Sequence, residues 1–176
     1  MSDSDVANNS SAEEQLAWLE SELTQAMQVV GQEEGWWKYK PENLWETNRE
    51  AILANLRVQS CRPNQKGVQP GRYEIRLGNR EVADWAEAAE RLRTFWTDQG
   101  WTVSYIVPPG STQTPMEYFR ADREDGAYLA FNAGDNFVAL DVHTACSTSN
   151  LYPQRPANPP NLKGTPEGET PPETEQ

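Results

Sequence analysis

YEIRLGNREVADWAEAAERLRTFWTDQGWTVSYIV, residues 73–107, changes its hydrophobic period twice, and those changes decide the fold. Tyr73, Ile75 and Leu77 alternate with the charged Glu74 and Arg76, the period-2 pattern of a half-buried strand, and Gly78-Asn79 ends it. Val82, Trp85, Ala89, Leu92 and Trp96 then recur at helical spacing, which predicts a helix over about 81–98 with Asn79 as its cap and Gly100 as its stop. Trp101, Val103, Tyr105 and Val107 restore the alternation until Pro108-Pro109-Gly110 breaks the chain.

On the C-terminal side the alternation continues. A strand around 117–123 meets Asp125-Gly126, a favoured hairpin dipeptide. A second strand through Ala127, Leu129 and Phe131 turns at Ala133-Gly134-Asp135-Asn136 into a third from Phe137 to Val142. On the N-terminal side, Ser11 with Glu14 three positions later has the form of a capping box. Leu16, Leu19, Leu23, Met27 and Val30 line one face of a helix over about 12–30, which Gly31 stops. Pro41 can open a second helix in which Trp45, Ile52, Leu53 and Leu56 form the stripe, and RPNQKGVQPG after Cys61 has the composition of a loop. The order helix, helix, strand, helix, four strands predicts an α+β two-layer domain, a mainly antiparallel sheet of about five strands with helices packed on one face. No internal repeat of 20 to 50 residues interrupts it.

Charge is distributed unevenly around that domain. The 176 residues carry 27 acids and 15 bases, a formal charge of −12. Residues 1–35 hold eight acids and no Lys or Arg, the last 30 residues hold four acids and two bases, and the 111 between them hold 15 acids and 13 bases. A phosphate backbone would be repelled, so nucleic acid is excluded as a partner. No run approaches 18 apolar residues, which excludes a spanning helix, and two cysteines do not make a disulfide-dense miniprotein. Residues 1–10 read as a flexible acidic tether, 11–146 as a single domain, and 147–176, with seven of the thirteen prolines, as a disordered tail. The chain is expected to be a monomer.

Few residues offer chemistry. Cys61 and Cys146 stand at the two edges of the folded unit, each just past a predicted element, and a structural disulfide is the preferred reading; two unrelated buried thiols are the other. His143 lies three residues before Cys146, but on an extended strand that spacing points the two side chains to opposite faces, which argues against a catalytic Cys/His pair. Trp36, Trp37 and Tyr39 fall between two helices in a glycine-flanked segment. They form the candidate ligand platform, where exposed rings would stack on a sugar, a peptide or a partner; a bulky loop tucked over a sheet edge is the plainer explanation. Asp122, Glu124, Asp125 and Asp135 sit in predicted turns without the twelve-residue pattern of a calcium loop, and two cysteines with one histidine are too few soft ligands for closed zinc. No metal site, catalytic residue or cofactor is therefore assigned. No glycine-rich phosphate loop or serine elbow is present, and a single histidine leaves most general-base mechanisms without their usual reagent.

Several segments together carry a resemblance. The acidic small-residue start, the Trp-rich middle, EVADWAEAAERLRTFWTDQGW running into WTVSYIV, and FVALDVHTACS with Leu140, Val142, Thr144 and Cys146 at alternate positions resemble the soluble parts of small actinobacterial cell-envelope lipoproteins. The similarity spans about residues 36–147. It implies an extracytoplasmic, membrane-tethered location and a disulfide, and it implies no activity. Met1 is followed directly by SDSDVANNSS, without signal segment or attachment cysteine, so the resemblance also implies a chain trimmed after its lipid anchor.

Three functions follow as expectations. The first is a non-enzymatic extracytoplasmic domain that binds a protein or an envelope component. The second is a cytosolic adaptor or inhibitor whose acidic first helix meets a basic partner. The third is a small hydrolase built on Asp or Glu side chains.

Overall fold

Nine strands and three helices are assigned in the computed structural model, which describes residues 7–62 and 67–152. In chain order they are β1 (Ala7–Asn8), α1 (Ala12–Val30), α2 (Trp45–Ala54), β2 (Gln59–Ser60), β3 (Gln69–Arg72), β4 (Glu74–Asn79), α3 (Trp85–Asp98), β5 (Thr102–Val107), β6 (Met116–Asp122), β7 (Tyr128–Gly134), β8 (Val138–His143) and β9 (Cys146–Tyr152). Five of the strands form an antiparallel sheet in the order β4-β8-β7-β6-β5, so the fold is α+β with helices packed on one sheet face.

Alternation sorts the side chains of that sheet. Ile75 and Leu77 of β4 pair with Val142 and Leu140 of β8, which in turn face Leu129 and Phe131 of β7, and all of these are buried. Against them lie Leu19, Leu23 and Met27 of α1 and Ala89, Leu92 and Trp96 of α3, with Trp96 edge-on to Phe119 of β6 at 5.8 Å. Both long helices end as their residues dictate. Ser11 Oγ accepts from the Glu14 amide at 3.1 Å, and Gly31 turns α1 off with a left-handed φ of 81°. The last carbonyls of α1, at Val29 and Val30, are met by the Arg91 guanidinium of α3 at 2.9 and 2.6 Å.

Beyond the large sheet, β4 and β8 run on into a smaller one of order β1-β9-β3-β2. Tyr73 and Thr144 bridge the two ladders: the Thr144 amide donates to the Tyr73 carbonyl and the Tyr73 amide donates to Thr144 Oγ1. Gln15 of α1 locks this sheet from beneath. Its buried amide donates to the carbonyls of Gly71 and Ala145 and accepts from Asn150, so that its full placement satisfies three partners at once. The Cys61–Cys146 disulfide is present and ties the end of β2 to the start of β9 across 85 residues. In the chain-entropy account such a closure stabilises by about 4 to 5 kcal/mol.

Four expectations are corrected. Helix α2 begins at Trp45, with Leu44 at its cap; Pro41 lies in the turn before it. Helix α3 is capped by Asp84, whose side chain accepts from the Glu87 amide at 3.0 Å, while Asn79 ends β4 and its side chain accepts from Glu81. The last three residues of the loop expected after Cys61, Gln69 to Gly71, belong to β3. The domain boundaries also move outward: β1 lies within the expected tether, and β9 carries the fold through Tyr152, six residues into the expected tail. The remainder of that tail, 153–176, and residues 1–6 of the tether lie outside the described residues.

Candidate functional site

Helices cover one face of β4 and β8; over the other face lies a groove of roughly 520 Å³. Its walls come from the segment between α1 and α2. Trp37 exchanges two 2.9 Å backbone hydrogen bonds with Gly78 and so adds a one-residue strand to the edge of β4. Successive residues on such a stub point to opposite faces. Trp36 therefore enters the core, where it is fully buried and its indole N–H meets the Gln32 carbonyl at 2.8 Å, whereas Trp37 lies half-buried on the groove side. Glycine at 78 is what admits the Trp37 ring, because a Cβ there would stand 2.8 Å from the indole.

Tyr39 follows in an unusual state. It is 89% exposed and has a φ of 67°, the left-handed region that side-chain-bearing residues rarely occupy. Hydrogen bonds between Lys38 and Asn43, and from the Asn43 amide to the Lys40 carbonyl, close the turn that holds it there. The Lys38 ammonium lies 3.9 Å from the centre of the Tyr39 ring. Phe137, exposed at the β7–β8 turn, completes an aromatic rim of Trp37, Tyr39 and Phe137.

The floor is charged and largely paired. Arg76 and Asp141, directly opposite on β4 and β8, stand 3.3 Å apart; two pairs further along, on the same face, Glu74 lies opposite His143 and is held by Arg72 at 2.9 Å. His143 Nδ1 comes within 3.3 Å of Glu74 Oε1, in ion-pair range though out of line for a hydrogen bond. The imidazole stacks on Tyr128 at 4.1 Å, and Tyr128 in turn lies under the Arg120 guanidinium. The adjoining His143 is the largest influence on Glu74, whose carboxyl is held below its ordinary range in spite of burial. Asp141 is pushed the other way, chiefly by burial, with Arg76 and His143 opposing. Carboxylates that titrate apart on one wall can serve proton transfer. Here each is already engaged by an arginine.

Of the residues singled out from the sequence, Trp37 and Tyr39 meet in this groove. Trp36 does not: its burial removes it from the candidate platform, a correction that follows from the alternation at Trp36-Trp37. Cys146 is consumed in the disulfide, which leaves no thiolate for His143 to activate. The acidic turns serve local structure, Asp122 pairing with Arg120, Asp125 with Arg123, and Asp135 accepting from the Trp85 indole at 2.9 Å. Among the described residues no three His, Cys, Asp or Glu side chains gather as a metal site. Phe137, Glu74, Arg76, Asp141 and His143 were not anticipated as a site. The available signal was the charged half of the alternation in β4 and β8.

No family model matches the chain, and no curated protein does. Among solved structures, a DUF4853 family protein from Actinomyces odontolyticus is similar at 16% identity, with a TM-score of 0.48 over 86% of this chain and 72% of that one. A likeness of that extent establishes neither family nor function. Among the described residues no helix is long and apolar enough to cross a membrane.

Proposed function

We propose that this chain is a non-enzymatic binding domain that works outside the cytoplasm, attached to the cell envelope on its N-terminal side, and that it takes its ligand in the groove over β4 and β8. The observation that carries the reading is Tyr39. A residue with a side chain costs about 1 to 2 kcal/mol in the left-handed region, and a tyrosine ring 89% exposed recovers little of that through packing. A ring presented at such a cost beside Trp37 and Phe137 is accounted for by contact with a ligand. The compartment is supported by the Cys61–Cys146 disulfide, a bond that persists where the surroundings are oxidising. Attachment through a lipid is what the sequence resemblance adds.

Two measurements test this. Titration of isotope-labelled protein with wall-derived disaccharide peptides and short peptides should shift the amide signals of Trp37, Tyr39 and Phe137 and spare those of α1; shifts confined to other surfaces would remove the groove from the account. Thiol titration of protein taken without reductant from its native host should find no free thiol, and two free thiols would sink the extracytoplasmic reading.

A further inference from the structure

The edge of β4 that borders the groove has a gap. In an antiparallel strand, successive residues turn their backbone groups to opposite neighbours. Tyr73 bonds toward Thr144 on the β8 side and Gly78 bonds outward to Trp37. Hence Ile75, Leu77 and Asn79 serve β8, while the amides and carbonyls of Glu74 and Arg76 face the open edge. No described residue meets them. The gap is bounded at one end by Gln59, which pairs with Arg72, and at the other by Trp37, both in the antiparallel sense. Six residue steps at about 3.3 Å leave roughly 20 Å of edge between those partners. The group that matches alternating donors and acceptors at that repeat is another extended backbone.

Beside the gap stands a cation without a counter-ion. Lys38 lines the groove, is 9% exposed as a residue, and among the described residues has no carboxylate in ion-pair range; its ammonium lies over the Tyr39 ring. The arginines of the floor are already balanced by Glu74 and Asp141. With its stem packed against the protein, the Lys38 ammonium is left without a protein anion, and an incoming carboxylate supplies one.

Building on the groove as the binding site, we infer that its ligand is an extended acidic peptide, added as a strand along Glu74–Arg76 and selected by a carboxylate against Lys38. The aromatic rim then covers the peptide's side chains on the groove face. The main chain supplies the pairing, and Lys38 supplies the choice of charge.

The test uses the full chain and a blocked seven-residue peptide alternating valine and glutamate. Two control peptides replace glutamate with lysine or methylate every backbone nitrogen. The acidic peptide should shift the Glu74 and Arg76 amides and bind at least tenfold tighter than either control. Lys38→Met, which keeps the apolar stem, should remove most of the preference for glutamate over lysine with the unfolding midpoint unchanged. Equal binding of the methylated peptide would overturn strand addition, and equal binding of the glutamate and lysine peptides would overturn selection by Lys38. Should a chitin trisaccharide shift Trp37 and Tyr39 while the acidic peptide does not, the peptide class falls and the groove reading stands. Silence of the groove toward every probe overturns both.

Discussion

The two faces of the β4–β8 pair are built from neighbouring residues and do opposite things. On one, Ile75, Leu77, Leu140 and Val142 are sealed under α1 and α3; on the other, one residue out of step, Glu74, Arg76, Asp141 and His143 pair with one another beneath an aromatic rim. Trp36 and Trp37 repeat the division within a single dipeptide, the first ring in the core and the second at the groove. What a residue type contributes is thus set by which side of a period-2 element it occupies, and identical rings fill the core or line the groove accordingly.

That division can be broken at Gly78. Alanine there places a Cβ 2.8 Å from the Trp37 indole, so the ring must lift. We expect a loss of about 1 to 3 kcal/mol in urea unfolding, the usual cost of overfilling a packed contact, together with a moved Trp37 indole N–H resonance. An unchanged resonance would show that the groove wall does not rest on glycine.

A smaller effect sharpens the electrostatic half of the comparison. Glu74 has its carboxyl depressed, so its ionised form contributes stability that is present above the unfolded-state value and is lost as pH falls through the folded-state value. Glu74→Gln should therefore be less stable than the natural chain at pH 7, with the difference closing below the ordinary carboxylate range. Asp141, raised by burial, has the opposite sign: its contribution weakens as pH rises through its folded-state value. Urea midpoints for Glu74→Gln and the natural chain at pH 7 and pH 3 check the sign, and a gap that persists in acid would assign the effect of Glu74 to packing.

The smallest expected change is Tyr39→Gly. Glycine relieves the left-handed backbone but restores freedom to the unfolded chain, so stability should rise by at most ~1 kcal/mol while groove binding falls. A clear loss of stability would mean that the ring packs.

Much of the large sheet and both long helices were legible because their signals are local. Ser11 and Glu14 mark one helix start, Gly31 and Gly100 mark stops, and each strand of the meander alternates within its own few residues. The small sheet was not. QPGR of β3 and CSTSNLY of β9 carry no apolar alternation, and what holds them, Gln15 and the disulfide, lies 56 to 135 residues away in sequence. The groove was half legible for the same reason. Trp37 and Tyr39 stood out by composition, whereas Arg76 and Asp141 lie 65 residues apart and read singly as ordinary solvated charges until register set them opposite one another. Gly78 read as a strand ending, because nothing local says that a tryptophan from residue 37 will lie on it.

The central claim, that one face carries the fold and the other the ligand, is tested most directly by unfolding Trp36→Ala and Trp37→Ala in urea under identical conditions. The account predicts a loss of about 3 to 5 kcal/mol for Trp36→Ala, the range for emptying a buried tryptophan site. For Trp37→Ala, a half-buried ring, it predicts a loss below about 1.5 kcal/mol. Equal losses at the two positions would contradict it.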